Sequence, residues 1–470
     1  MAVVRRVHGG PPSPRSKWPV AVLLCLLGAS PLAKAMTLTE ALEAARAHDP
    51  QYQAAQFELE AARQGLPIAR SVLFPQVSLS YGNSGVSGTR EFPNGLSQQV
   101  NVRVDYESPQ TALNLRMPLF NYEAWSRIDQ AAVQVRGAEA SFRARGLELT
   151  ERVATAYLQA LEAHAQLSLA EAEMKALNEQ FLRAEQRLRR GEGTRTEEAQ
   201  ALASVEVARA RASDTRERVM LAAARLRRLT GQVPVFLRDI VPAYRPQVSA
   251  EGGLREWTDA AMSQSPVIEA RAMAMEAARL SVRRAQAGHL PRLDLVGSVT
   301  RSRNESLSNL DQTSNLRSLG IQLTVPLFSG FGVVAQTRLA EADRARAEQE
   351  LRNERENVQL EIHRLLQLAD AAALRSDALR KAVTASETAV TGVTRAQAAG
   401  LATQAEVLDA NSKLFASRRD LAQAQYDHLG ARMRMMLLAG EPMQRVVDQI
   451  GAFLIERVEL APLAVTNFKP

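Results

Sequence analysis

From Asn121 to Arg190 the chain carries no proline and repeats apolar residues every seven positions. One register is Ile128, Val135, Phe142, Leu149, Ala156, Ala163, Ala170, Leu177 and Ala184. The other is Val153, Ala160, Leu167, Met174, Phe181 and Leu188. A seam kept that long at a period of 3.5 confines the segment to a left-handed coiled coil, and at 1.5 Å per residue it spans ~100 Å. The pattern returns in Leu351, Val358, Leu365, Ala372, Leu379 and Val393 (Ser386 in step), with Ile362, Ala369, Val383 and Val390 (Ser376 in step). Leu149 maps onto Val358 and Val153 onto Ile362, both 209 residues later. The chain is an internal duplication of a long-helix unit.

Composition suits this. Of 470 residues 46% are apolar but only 5% aromatic, which favours Ala-rich helix packing over one large globular core. The formal charge of +7 is concentrated at the start, where Arg5, Arg6, Arg15, Lys17 and Lys34 face no acid. Beyond residue 35 the bases and acids nearly balance, so no clustered basic surface points to a nucleic acid. Residues 1–35 have the form of a signal peptide, with a basic start, an apolar run through Val20, Leu23, Leu24, Leu26 and Leu27, and Ala33-Lys34-Ala35 as the cleavage site. Met36 would then begin the mature chain; the competing reading, a membrane anchor, has too short an apolar run. The only cysteine, Cys25, lies in that run after Leu24, where a lipoprotein signal needs a small residue, so neither a lipid anchor nor a mature thiol is expected.

The first repeat covers 36–231. Helices are expected over 37–73, with Asp49-Pro50 as N-cap and first turn of the second. Strands follow at about 75–85 and 100–119, separated by a Gly/Ser/Asn-rich loop from Gly82 to Gly95. The long helix over ~121–190 ends at Gly191-Glu192-Gly193, and a returning helix runs over ~194–229. Residues 232–264 form a mixed connection with a short helix. The second repeat, 265–440, contains a helix over ~266–288, strands at ~291–304 and ~316–327, a long helix over ~331–399 and a return helix over ~403–439. A mixed segment, 441–470, closes the chain. Leu319, Ile321, Leu323, Val325 and Leu327 alternate as Leu113, Leu115, Met117 and Leu119 do.

Four alternating strands with polar and apolar faces fit a membrane β-barrel wall or a soluble sheet covered by helices. The aromatics Phe74, Phe120, Tyr122, Phe328 and Phe331, placed where strand meets helix, favour the barrel, because they would form a girdle at one membrane interface. Four strands cannot close alone and lipid tolerates no open edge, so oligomerisation is required; three copies give twelve strands and an aqueous lumen.

Residues of catalysis are missing from the pattern. His8, His48, His164, His289, His363 and His428 lack metal-ligand spacing, and there is no Gly-rich phosphate loop, so neither an enzyme nor a cofactor is expected. The hairpin tips hold the one constellation worth weighing. Thr194-x-x-Glu197 and Thr403-x-x-Glu406 occupy equivalent places and read as capping boxes. Asp409 shares a helix face with Glu406, lies too deep to cap, and has Gln200 as its counterpart.

Arg284-Ala285-Gln286-Ala287-Gly288-His289-Leu290-Pro291-Arg292-Leu293-Asp294-Leu295 and Val407-Leu408-Asp409-Ala410 resemble the TolC family of bacterial outer-membrane channel-tunnels, and the resemblance covers essentially the whole mature chain. It implies a homotrimer: a twelve-stranded transmembrane barrel, four strands per chain, continuing into a helical tunnel across the periplasm, belted by 232–264 and 441–470. It also implies that Glu197, Glu406 and Asp409 form acidic rings at the periplasmic constriction, with Gly191, Gly193, Thr194, Gly400 and Thr403 shaping the tips. The family's clasp-forming Arg and Tyr correspond here to Ala402 and Gln397. The implied partners are outer-membrane lipid, a periplasmic adaptor and an inner-membrane ABC transporter for type I secretion of a polypeptide such as a toxin. A proton-driven pump takes the transporter's place if the channel serves multidrug efflux. A periplasmic coiled-coil adaptor is the reading from another class, but it would show one hairpin between compact β-domains.

Overall fold

The computed structural model describes residues 35–93, 99–249, 253–305 and 311–460. The leader expected over 1–35 lies almost wholly outside the described residues, as do Gly95 and the end of the C-terminal segment. In chain order the elements are α1 (Leu38–His48), α2 (Pro50–Ser71), β1 (Gln76–Pro93), β2 (Gln99–Phe120), α3 (Tyr122–Arg189) and α4 (Arg195–Thr230). Then come β3 (Phe236–Ile240), α5 (Gly253–Gln264), α6 (Pro266–Gln286), β4 (Arg292–Glu305), β5 (Asp311–Thr324), α7 (Gly332–Ala398), α8 (Gln404–Leu438), α9 (Met443–Gly451) and β6 (Leu454–Glu459).

The heptad seam is the buried face of α3. Leu149, Val153, Ala156, Ala160, Leu167, Ala170, Leu177 and Ala184 are buried, and so are Leu351, Val358, Ile362, Leu365, Ala369 and Ala372 on α7. Each long helix packs along its first half on a short entering helix and along its second half on its own return helix. Every level of the molecule therefore contains four helices: α2, α3, α6 and α7 near the sheet, then α3, α4, α7 and α8 farther down. Ion pairs tie the hairpins, the most enclosed being Glu173 of α3, both of whose oxygens lie 3.0 Å from Nη1 of Arg211 on α4.

β1, β2, β4 and β5 form one antiparallel sheet in that order. All four helix junctions lie at one end, and both hairpin turns at the other. A continuous apolar row, Val77–Leu115–Gly297–Leu319, crosses one face, flanked by Leu79–Leu113–Val299 and Met117–Leu295–Ile321. Pro118, which has no N–H to give the ladder, sits at a β-bulge before Phe120.

Two strand boundaries depart from the sequence reading. The Gly/Ser/Asn-rich stretch from Gly82 to Pro93 is strand, not loop, because β2 runs for 22 residues and β1 pairs with it throughout, Pro93 opposite Gln99. Val325 and Leu327 fall outside β5, which begins at Asp311 and stops at Thr324, since its partner β4 starts at Arg292 opposite that residue.

Halfway along the helices lies a small belt. β3, from the middle of the chain, and β6, from near its end, pair antiparallel, with Phe236 opposite Glu459. Met36 joins β3 as a parallel bridge, its amide donating to the Phe236 carbonyl at 2.8 Å. The fully buried Tyr157 of α3 pins both: its hydroxyl donates to the Met36 carbonyl (2.8 Å) and accepts from the Arg238 amide (2.8 Å).

Candidate functional site: the hairpin tips and the apolar band

The two helical hairpins turn in the same way. Gly191 (φ 75°) and Gly400 (φ 76°) take left-handed conformations that only glycine adopts freely. Each donates its amide back to the last turn, Gly191 to Leu188 O and Gly400 to Gln397 O, while the next residues bond to Arg187 O and Ala396 O. This double closure satisfies the orphan carbonyls at the helix end. At Gly193 an added Cβ would come within 3.2 Å of Arg187 Cβ and the Leu188 amide, whereas the second tip carries Ala402 at the matching position.

Both capping boxes are present. Thr194 Oγ1 accepts from the Glu197 amide and the Glu197 carboxylate accepts from the Thr194 amide (3.2 and 3.1 Å). Thr403 and Glu406 repeat this at 3.2 and 3.0 Å. Asp409 caps nothing; instead Lys413 lies 2.7 Å away on the same exposed face. The sequence reading missed that lysine, although its i,i+4 spacing is the signal for such a pair. Gln397, at the place of the clasp Tyr, donates to the side chain of buried Gln404 within its own hairpin. Leu408 packs on Leu177, Val205 and Ala208, which seats the second tip against the first hairpin and brings the acids onto one end of the molecule.

At the opposite end, the sheet shows lipid-like chemistry on one face. Leu79, Tyr81, Leu319, Ile321 and Leu323 are each more than 60% exposed, far beyond what a water-facing sheet carries. The aromatics Phe74, Phe120, Tyr122, Phe328 and Phe331 are exposed at the strand–helix end, with Phe120 edge-on to Trp125 and Phe328 edge-on to Phe331. Trp125, also exposed, extends the set and was not singled out from sequence. Phe331 holds φ 62°, a strained conformation for a bulky residue, in the turn that carries both edge-on rings. On the other face Arg116 meets the buried Asp294 at 2.7 Å. No described helix is long and apolar enough to cross a membrane.

The profile of the family described as Outer membrane efflux protein matches residues 41–232 and 257–441, the two repeats without the belt connection. The chain belongs to the outer membrane efflux protein family. The TolC-type resemblance read from the sequence therefore holds. Among relatives, the alkaline protease secretion protein AprF of Pseudomonas aeruginosa is 31% identical over 86% of this chain and 85% of its own. The proteases secretion protein PrtF of Dickeya chrysanthemi is 29% identical over 92% and 94%. The structure of CusC aligns with a TM-score of 0.75 at 18% identity, covering 86% of this chain and 92% of CusC, so the fold is shared. As a member of this family the chain is an export channel of the Gram-negative outer membrane with periplasmic helices, and not an enzyme.

Proposed function

We propose that three copies close into a twelve-stranded barrel and a twelve-helix tunnel that carries a polypeptide through the outer membrane in type I secretion. The observation that carries this is the sheet. It has an apolar outer face and, among the described residues, two unpaired edges, β1 and β5, on a surface that lipid cannot hydrate. Pairing β5 of one copy with β1 of the next removes every edge. Four helices per copy at each level supply the matching tunnel. The exposed aromatics then sit at the periplasmic membrane interface, and the leader is cleaved after Ala35, leaving Met36 to dock in the belt.

A polypeptide cargo is supported by the protease secretion relatives, AprF and PrtF. The partners on this reading are a periplasmic adaptor and an inner-membrane ABC transporter, which would supply the energy for export. Glu197, Glu406 and Asp409 line the narrow periplasmic mouth and give it a negative potential that favours cations. Multidrug efflux with a proton-driven pump is the second reading, supported by relatives such as the efflux protein BepC. Deleting the gene should leave one or more polypeptides synthesised but retained in the cell, and restoring the chain should return them to the medium. Unchanged secretion with altered drug sensitivity would assign the channel to efflux instead.

A further inference from the structure

The apolar face of the sheet changes character row by row toward the hairpin turns. Its central row, Val77–Leu115–Gly297–Leu319, carries no side chain at the third place. Neighbours do not close that gap: a Cβ added at Gly297 would meet Leu319 Cδ1 at 3.4 Å and Leu115 Cβ at 3.6 Å, both ordinary contacts. The result is an open groove of about 440 Å³ over Gly297, walled by Leu113, Leu115, Val299 and Leu319. Arg317 lines it too, from the next row toward the turns, Leu79–Leu113–Val299–Arg317, where it is the one charge. The row after that, Tyr81–Thr111–Arg301–Asn315, is polar.

Arg301 and Arg317 are diagonal neighbours on β4 and β5, ~7 Å apart. Both are exposed, and neither has a hydrogen-bond or ionic partner among the described residues. Along β2 the first described carboxylate of this face is Glu107, four residues past Thr111 and engaged by Asn83. Glu305 and Asp311 pair on the last rung, four residues from Arg301 and from Asn315. With the helices in the periplasm, this end of the sheet meets the outer leaflet. For strands tilted ~40°, the Tyr81 row lies ~21 Å above the Phe120–Leu293 rung, close to the height of a barrel's apolar band. Tyr81, 71% exposed, then marks the outer interface as Phe120 marks the inner one. Arg317 lies ~5 Å inside that edge, where a lone guanidinium is costly and snorkels toward an anion.

We propose that the groove and its two arginines bind lipopolysaccharide, the phosphate-bearing lipid of the outer leaflet. One acyl chain lies over Gly297 between Leu115 and Leu319, and Arg301 and Arg317 donate to a headgroup phosphate. All of these residues belong to one chain, so the site does not depend on the number of copies.

Full-length protein, purified in detergent and freed of lipid, is offered phosphorylated lipid A, lipid A stripped of phosphate, or phosphatidylglycerol, and retained lipid is counted by native mass spectrometry. Phosphorylated lipid A should be held roughly tenfold more tightly than either of the others. Arg301→Gln with Arg317→Gln should abolish that preference, and the matching pair of lysines should restore part of it. Gly297→Leu, which fills the groove, should weaken retention although both arginines remain. Thermal melting checks that each variant is folded, and the comparison among lipids needs no variant. Equal retention of the phosphate-free lipid, or an unchanged preference in the double glutamine variant, overturns the site. Equal or tighter retention of phosphatidylglycerol overturns its assignment to the outer-leaflet lipid.

Discussion

Replacing Tyr157 by Phe tests how the belt is held to the tunnel. The ring is fully buried and keeps its place in the variant; only the hydroxyl is lost. That oxygen links three segments: α3, the residue expected to begin the mature chain, and β3. Without it the Arg238 amide and the Met36 carbonyl lose their 2.8 Å partners in a closed interior. Each buried polar group left unpaired costs ~1–3 kcal/mol, so the belt should loosen by ~2–6 kcal/mol. At 1.4 kcal/mol per tenfold, amide exchange at Arg238 should accelerate by roughly 30-fold to 20,000-fold, while the seam around Leu149 and Val153, held by burial, stays protected. Hydrogen exchange read by mass spectrometry on peptides covering 232–244 and 145–160 separates the two. Unchanged exchange at Arg238 would show that the β3–β6 ladder and apolar packing hold the belt without the hydroxyl.

At the tips, Glu197, Glu406 and Asp409 set against Lys413 leave two negative charges per copy. Glu406→Gln with Asp409→Asn removes both, while Gln still completes the capping box. Cation preference, read as reversal potential in a salt gradient across a planar bilayer, should collapse; an unaltered potential would place selectivity elsewhere. His428 is buried between Tyr244 (2.7 Å) and the Gln247 carbonyl, and burial, aided by Arg432, holds its pKa below the ordinary value against the opposing pull of Gln247 and Asp370. Its stabilising contribution is complete above the unfolded value of ~6.5 and is lost as pH falls from there toward the folded pKa. The melting temperature should therefore drop from pH ~7.5 to ~5.5, and less so in His428→Gln; equal drops would remove His428 from the account. Gly440 (φ 83°) ends α8 with an added Cβ only 2.6 Å from the Gln264 carbonyl, so Gly440→Ala should destabilise by well over ~1 kcal/mol in a denaturant titration.

The features that the sequence disclosed are those with a local period. The heptad seam, the 209-residue duplication and the Thr-x-x-Glu caps each follow from neighbours a few positions apart, and each lies where expected. What stayed hidden depends on distant partners. β3 and β6 are short, lie among prolines or at the chain's end, and exist only because residues far apart in the chain meet over Tyr157. Gly82 to Pro93 has turn composition, and only its register with the valines of β2 makes it strand. At the tips the acids were legible as residue types, but the Lys413 partner of Asp409 and the Gln397–Gln404 link emerged only with the helices in place. Trp125 escaped notice because it falls one turn inside α3, past the strand–helix boundary that drew attention to Phe120 and Tyr122.

The most direct test of the account is the native mass of the processed chain extracted from membranes separated by density. A trimer in the outer-membrane fraction, beginning at Met36, is the predicted result, because the proposed twelve-stranded barrel pairs the β5 edge of each copy with the β1 edge of the next. A soluble monomer in the periplasmic fraction would contradict it, since its exposed Leu319, Ile321 and Leu323 would then have to be covered by something other than lipid.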